Sequence, residues 1–144
     1  MYMEDSEMTV EDYRKILETD PDNAEVKKEL ADRLSDEDRL DEAIEEYRSL
    51  ICLTPDDPCA HFGLGDAYYK KGMVKEAIAE TLEAISLRPG WPYYHNRMGK
   101  LLEAAGDLDG AITQYTMALE LKPDFGDPAD SLERLTGKQG RSRR

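Results

Sequence analysis

Only two cysteines, Cys52 and Cys59, and two histidines, His61 and His95, occur among the 144 residues. Two thiols on either side of the turn from Thr54 to Pro58 cannot form a disulfide framework. They are expected as free thiols, which points to a reducing, cytoplasmic setting. No further Cys or His stands at ligand spacing from either histidine, so no metal site is expected. No run approaches the ~18 apolar residues of a membrane span. The chain is 35% charged, with mean hydropathy −0.71. Its first residues, MYMEDSEM, are acidic and lack the apolar core of a secretory signal. Basic charge is scarce: 19 Lys and Arg stand against 32 Asp and Glu, net −13. The deficit lies in residues 1–23, net −6, and 24–57, net −7. Such a surface repels phosphate backbones, so neither nucleic acid nor membrane is expected as a partner. A solvated acidic face that keeps the chain soluble accounts for it.

Catalytic constellations are missing too. Gly63-Leu64-Gly65 resembles the start of a nucleotide fingerprint, but it lacks the third glycine and falls inside a helical stripe rather than after a strand. There is no P-loop, no nucleophile elbow and no Cys–His pair with an orienting partner. Nothing basic adjoins Cys59 in sequence to activate its thiol. Neither enzymatic activity nor a cofactor is expected.

What the chain does contain is a repeat. Pro21, Pro55, Pro89 and Pro123 recur at intervals of 34 residues. Small residues follow the same interval at Ala31, Gly65 and Gly99, and at Ala43, Ala77 and Ala111. Large apolar residues do so at Leu30, Leu64 and Met98, and at Leu34, Tyr68 and Leu102; Tyr13, Tyr47, Thr81 and Tyr115 form a further register. A fixed period in this range marks a stacked-repeat protein. Each copy holds two helical stripes, in the second copy about Pro58 to Lys70 and Val74 to Leu87, with apolar residues at three- and four-residue spacing. One such hairpin cannot bury its apolar face alone, so the copies must stack.

The pattern resembles the tetratricopeptide repeat (TPR) family: His61-x2-Leu64-Gly65-x2-Tyr68, then Ala77-x3-Thr81, Ala84 and Pro89. The third copy reads His95-x2-Met98-Gly99-x2-Leu102, Ala111-x3-Tyr115, Ala118, Pro123, and the first Lys27-x2-Leu30-Ala31-x2-Leu34, Ala43-x3-Tyr47, Leu50, Pro55. The resemblance implies an all-α, right-handed superhelical solenoid of about eight helices. Residues 1–23 hold one lone helix at about 9–19, capped by Thr9; repeats follow at 24–57, 58–91 and 92–125. An end helix covers 126–136, opened by Asp127-Pro128, and residues 137–144 are read as a disordered basic tail. Residues 1–8 are expected to fray. The lone helix matches the second helix of a repeat. It is either a cap on the stack or the end of a longer array; the start at Met1 favours a cap. The first copy's helix connection, Ser35 to Asp38, lacks the glycine that Gly72 and Gly106 supply in the others.

The resemblance further implies a non-catalytic interaction module whose first helices line a concave groove. The residues in that register include Lys28 and Asp32, then Phe62, Asp66 and Tyr69, then Tyr93, Asn96, Arg97 and Lys100. Glu25, Glu29, Cys59 and Gly63 share the register. Aromatic and Arg side chains are the usual anchors of interfaces. A peptide or helix with an acidic or polar group near Arg97 and an apolar one near Phe62 fits this set; for Phe62 and Tyr93 the groove reading stands above the alternative of packing along the stack. At the positions of the family's carboxylate clamp the chain has Lys28, Asp32, Gly63, Tyr93 and Arg97. Lys28 and Arg97 alone agree, and Asp32 repels a carboxylate. The histidines occupy the place of the family's packing aromatic and are read as packing residues. Alternative readings are a homo-oligomeric scaffold and an accessory subunit of an enzyme complex.

Overall fold

The computed structural model describes residues 7–137. The expectations for the first six residues and for the tail from 138 onward lie outside them. Among the described residues there are eight helices: α1 Val10–Thr19, α2 Ala24–Asp36, α3 Leu40–Leu53, α4 Pro58–Lys70, α5 Val74–Leu87, α6 Pro92–Ala105, α7 Leu108–Leu121 and α8 Gly126–Thr136. Each packs chiefly on its neighbours in the chain, and α2 also meets α4, as α6 meets α8. The result is an all-α solenoid in which α2, α4, α6 and α8 form one layer and α1, α3, α5 and α7 the other.

Local chemistry sets the helix ends. Thr9 caps α1 in a reciprocal box: its N–H donates to Asp12 Oδ2 at 2.9 Å, and the Asp12 N–H donates to Thr9 Oγ1. Asn23 and Asp57 cap α2 and α4 through the N–H groups of Val26 and Cys59. Pro58 and Pro92 occupy first-turn positions, where a missing N–H costs nothing. The glycine absent from the first copy is replaced functionally by Asp38, which takes φ 61°; Gly72 and Gly106, one and two periods on, take 82° and 88°. All three turns therefore use the left-handed conformation, and only the first imposes it on a side chain.

Helix α8 covers the range read from the sequence, 126–136, but its cap differs. Asp127 is not its cap; Phe125 is, and the helix begins at Gly126, in register with Pro92. Asp127 is thereby left free to face α6. Ahead of α1, Arg33 donates to Glu7 Oε2 and to the Met8 carbonyl, both at 3.0 Å.

The core runs between the layers. Leu30, Leu34, Leu50, Leu64, Met98, Leu101 and Tyr115 are buried there, beside Ala31, Ala43, Ala77, Ala84, Ala111 and Ala118. Close approach explains the small residues. A Cβ added at Gly99 would lie 2.6 Å from the Tyr115 ring, and one at Gly65 would lie 3.0 Å from Thr81 Oγ1. The same register thus takes a ring at Tyr115 and a short hydroxyl at Thr81, which donates to the Ala77 carbonyl at 2.8 Å. At the amino-terminal end Arg14 bridges Glu11 and Glu42, and Arg39 also holds Glu42. No helix among the described residues is long and apolar enough to cross a membrane.

Candidate functional site

The inner layer encloses a groove of about 720 Å³. Helix α2 contributes Lys28, Asp32, Ser35 and Asp36; α3 sends Tyr47 between the inner helices; α4 gives Cys59, Phe62, Gly63, Asp66 and Lys70. Helix α6 and its cap give Trp91, Tyr93, Tyr94, Asn96, Arg97 and Lys100, and α8 gives Asp127. Eight of the nine residues proposed from the sequence therefore share one cavity. Tyr69 does not: it lies under the Arg97 guanidinium, 5.2 Å from its ring centroid, and lines a separate hollow with Glu103, Tyr115 and Arg134. Glu25 and Glu29 are absent from the lining as well.

The groove's cations are paired internally. Lys28 Nζ lies 3.0 Å from Asp32 Oδ2, Arg97 Nη1 2.8 Å from Asp66 Oδ1, and Lys100 Nζ 2.7 Å from Asp127 Oδ2. Lys70 Nζ lies 3.5 Å from Asp66 and donates to Ser35 Oγ. Four Lys and Arg thus meet three carboxylates, Asp66 being shared, and Asp36 adds a fourth carboxylate to the lining. The Lys100 ammonium, then the Asn96 amide, hold the Asp127 carboxyl below its usual range. The Asp32 hydrogen bond raises Lys28 in turn. An acidic ligand group near Arg97, expected from the sequence, would have to displace Asp66.

Gly63 stands where the family's clamp places an amide, and the structure gives the reason. A Cβ at 63 would fall 2.7 Å from Tyr47 Cζ, because the ring fills that space. The Tyr47 hydroxyl donates to Asp32 Oδ1. Burial, and then this carboxylate, push the hydroxyl far above the usual tyrosine range, so it stays a donor.

Aromatic rings form the other wall. Phe62 packs on Tyr94 with centroids 4.9 Å apart; Trp91 lies 5.4 Å from Tyr93 and 6.5 Å from Tyr94; Tyr93 lies 4.9 Å from Phe125. Phe62 and Tyr93 accordingly do both things that the sequence allowed: they pack on neighbours and they line the groove. Trp91 and Tyr93 remain 42% and 43% exposed, which leaves ring surface for a ligand. Arg97 also lies over Phe62, 5.7 Å from its centroid. Tyr94 Oη is 3.9 Å from Cys59 Sγ, and burial, then this contact, push the tyrosine up to about 12.

Asn96, only 8% exposed, donates to Asp127 Oδ2 at 2.8 Å. Its Oδ1 is a buried acceptor without a partner, an arrangement that costs ~1–3 kcal/mol until a donor arrives. Trp91, Tyr94 and Asp127 were missed from the sequence. The signal for Asp127 was present: it stands one period after Tyr93 and two after Cys59, so extending the register into α8 places it on the concave side.

Among the described residues no group of three or more His, Cys, Asp and Glu is placed to hold a metal ion. The chemistry on offer is recognition by rings, neutral ion pairs and hydrogen bonds.

A tetratricopeptide repeat model matches residues 58–91 and 92–125, and a TPR repeat model matches residues 31–72. No curated protein matches the chain. Among solved structures, a crystal structure of MamA is 25% identical, with a TM-score of 0.85 over 91% of this chain and 77% of that one. MamA from Desulfovibrio magneticus RS-1 is 22% identical, with a TM-score of 0.77 over 81% and 66%. The first TPR of Spaghetti (RPAP3), solved bound to the HSP90 peptide SRMEEVD, is 23% identical, with a TM-score of 0.76 over 81% and 93%. The matched residues, the 34-residue period and the paired-helix solenoid place this chain in the tetratricopeptide repeat family.

Proposed function

We propose that this chain is a non-catalytic, cytoplasmic protein-interaction module that receives a segment of a partner protein in the groove between α2, α4, α6 and α8. The observation that carries this reading is the exposed ring surface of Trp91 and Tyr93 beside a floor whose cations are already matched by carboxylates. A charged ligand must break one of those pairs, whereas an uncharged aromatic or aliphatic anchor needs only to cover the rings. The preferred ligand is therefore an extended peptide or helix anchored by an apolar side chain. Acidic tails such as SRMEEVD, bound by the RPAP3 domain, suit this groove poorly, because Asp66 occupies Arg97 and Asp32 occupies Lys28. The partner's backbone can supply the N–H groups that the groove carboxylates and Asn96 accept.

The test is affinity capture from native-source lysate, wild type beside a Phe62→Ala, Tyr93→Ala variant, read by mass spectrometry. The reading expects a protein retained by wild type and lost by the variant, with helical circular dichroism unchanged. Identical retention by both proteins contradicts it.

A second reading, a self-assembling scaffold, draws on Leu53, Leu87 and Leu121. They end α3, α5 and α7 one period apart and are all exposed. A mass that rises with concentration, and that falls on changing these leucines to Ser, would favour it.

A further inference from the structure

One bridge between the two helices of each repeat recurs at the same register with three different chemistries. In the first copy Lys27 Nζ of α2 lies 3.9 Å from Glu46 Oε2 of α3. In the second, His61 Nδ1 of α4 lies 2.9 Å from Glu80 Oε2 of α5. In the third, His95 Nδ1 of α6 lies 2.9 Å from Gln114 Oε1 of α7. Each histidine also reaches back with Nε2 to the carbonyl of the period-marking proline, Pro55 at 2.8 Å and Pro89 at 2.7 Å. A carbonyl only accepts, so both Nε2 atoms carry hydrogen.

The partner of Nδ1 then decides the charge. An ionised carboxylate also only accepts, so the 2.9 Å contact between His61 and Glu80 needs a second proton, held on Nδ1 or shared with Oε2. Gln114 differs in that a half-turn of its amide exchanges Oε1 for the NH2 group, which can donate to His95 Nδ1, whereas no rotation gives a carboxylate a donor. The bridge thus joins a lysine to a carboxylate in the first copy, a histidine to a carboxylate in the second and a histidine to an amide in the third.

We propose that the middle repeat is a proton-controlled joint, in which one proton between His61 and Glu80 fastens α4 to α5 and to the Pro55 turn. Helix α5 presents Glu80 and Glu83 to the ring; the turn that ends α3 presents the Pro55 carbonyl; Asp57 caps the ring's own helix. Burial opposes the charged imidazole, but the Glu80 hydrogen bond, the Pro55 carbonyl and the two glutamates outweigh it and raise its affinity for the proton. The folded affinity exceeds the unfolded one, so the added stability is complete at low pH and is lost as pH rises through the folded value. Helix α4 carries Cys59, Phe62 and Asp66 of the groove, so the joint acts on the site although none of its atoms line it. The inference rests on the bridge geometry and stands whether or not the groove binds a peptide.

The test uses the full chain. Side-chain nitrogen NMR follows His61 and His95 from pH 5 to 9 in wild type, Glu80→Gln and Gln114→Glu. Amide exchange gives protection factors for α4 and α5 at both ends of that range. The joint requires a His61 midpoint above ~6.5, lowered by Glu80→Gln, and a His95 midpoint raised by Gln114→Glu. It further requires α4 and α5 protection to fall with rising pH, about tenfold for each unit by which the fold raises the His61 midpoint. A midpoint at or below the ordinary value overturns the proposal. So does a raised midpoint with protection that does not follow it, because the proton then binds without fastening anything. Both wild-type measurements decide the matter even if a variant fails to fold.

Discussion

Arg97 Nη1 of α6 lies 2.8 Å from Asp66 Oδ1 of α4, and this pair sets the groove's polarity. Two inner helices are joined by it, and the charge that would attract an acidic ligand is answered from within. The guanidinium carbon also lies over the Phe62 and Tyr69 rings, 5.7 and 5.2 Å from their centroids, and these contacts add to the pair in holding it away from a guest.

Asp66→Asn should therefore change ligand preference. It leaves the shape intact and frees Arg97. Trp91 is the single tryptophan and lines the groove, so its emission reports occupancy. Titration with the peptide SRMEEVD should show weak binding to wild type and about tenfold tighter binding, ~1.4 kcal/mol, to the variant. Equal affinities would mean that the pair does not govern selectivity.

Gly99→Ala should destabilise the stack. The new methyl meets the Tyr115 ring, which is itself fully buried and cannot swing away. A loss of ~1–3 kcal/mol is expected in urea unfolding. Gly90→Ala is the control, because nothing lies within 4 Å of a Cβ there.

Asp38→Gly should stabilise the protein by about 0.5–1 kcal/mol, since φ 61° costs a side chain what it does not cost glycine. Thermal unfolding against wild type measures it. The same change at an exposed residue of ordinary helical backbone, such as Glu45, should destabilise.

How far the sequence speaks is clearest at two neighbouring features. The 34-residue period and the proline, Asn and Asp signals located the repeat helices, because caps and first-turn prolines are local chemistry. The Arg97–Asp66 pair was not legible, although both residues were assigned to the groove; pairing depends on which way two side chains lean across adjacent helices. Asp127 was misread for a different reason. The Asp-Pro step looked like the start of α4, and that local likeness hid the repeat register, which puts Asp127 on the concave side in line with Tyr93. Tyr94 was missed because it follows Tyr93 directly, and neighbours on a helix point apart. Here Phe62 on α4 brings Tyr94 to the groove from the adjacent helix.

Acid should release α8 first. Arg134, opposed by partial burial and helped by the Tyr115 hydroxyl, holds Glu103 below its usual range, and Lys100 with Asn96 does the same for Asp127. Both carboxylates tie α6 to α8. A lowered folded value means stability that is present above the unfolded value, near 4.5 for Glu103 and 3.8 for Asp127, and is lost as pH falls through the folded one. Amide exchange between pH 5 and 3 should show α8 losing protection before α4. Simultaneous loss would place the weak point elsewhere.

The two cysteines offer the most direct test of the groove as the binding site. Cys59 lines it, whereas Cys52 is an exposed residue near the end of α3 outside its lining. Alkylation of each thiol by a maleimide would be timed with and without the partner captured by wild type. The account predicts that the partner slows labelling of Cys59 several-fold and leaves Cys52 unchanged. Labelling of Cys59 at its free rate in the saturated complex would contradict it.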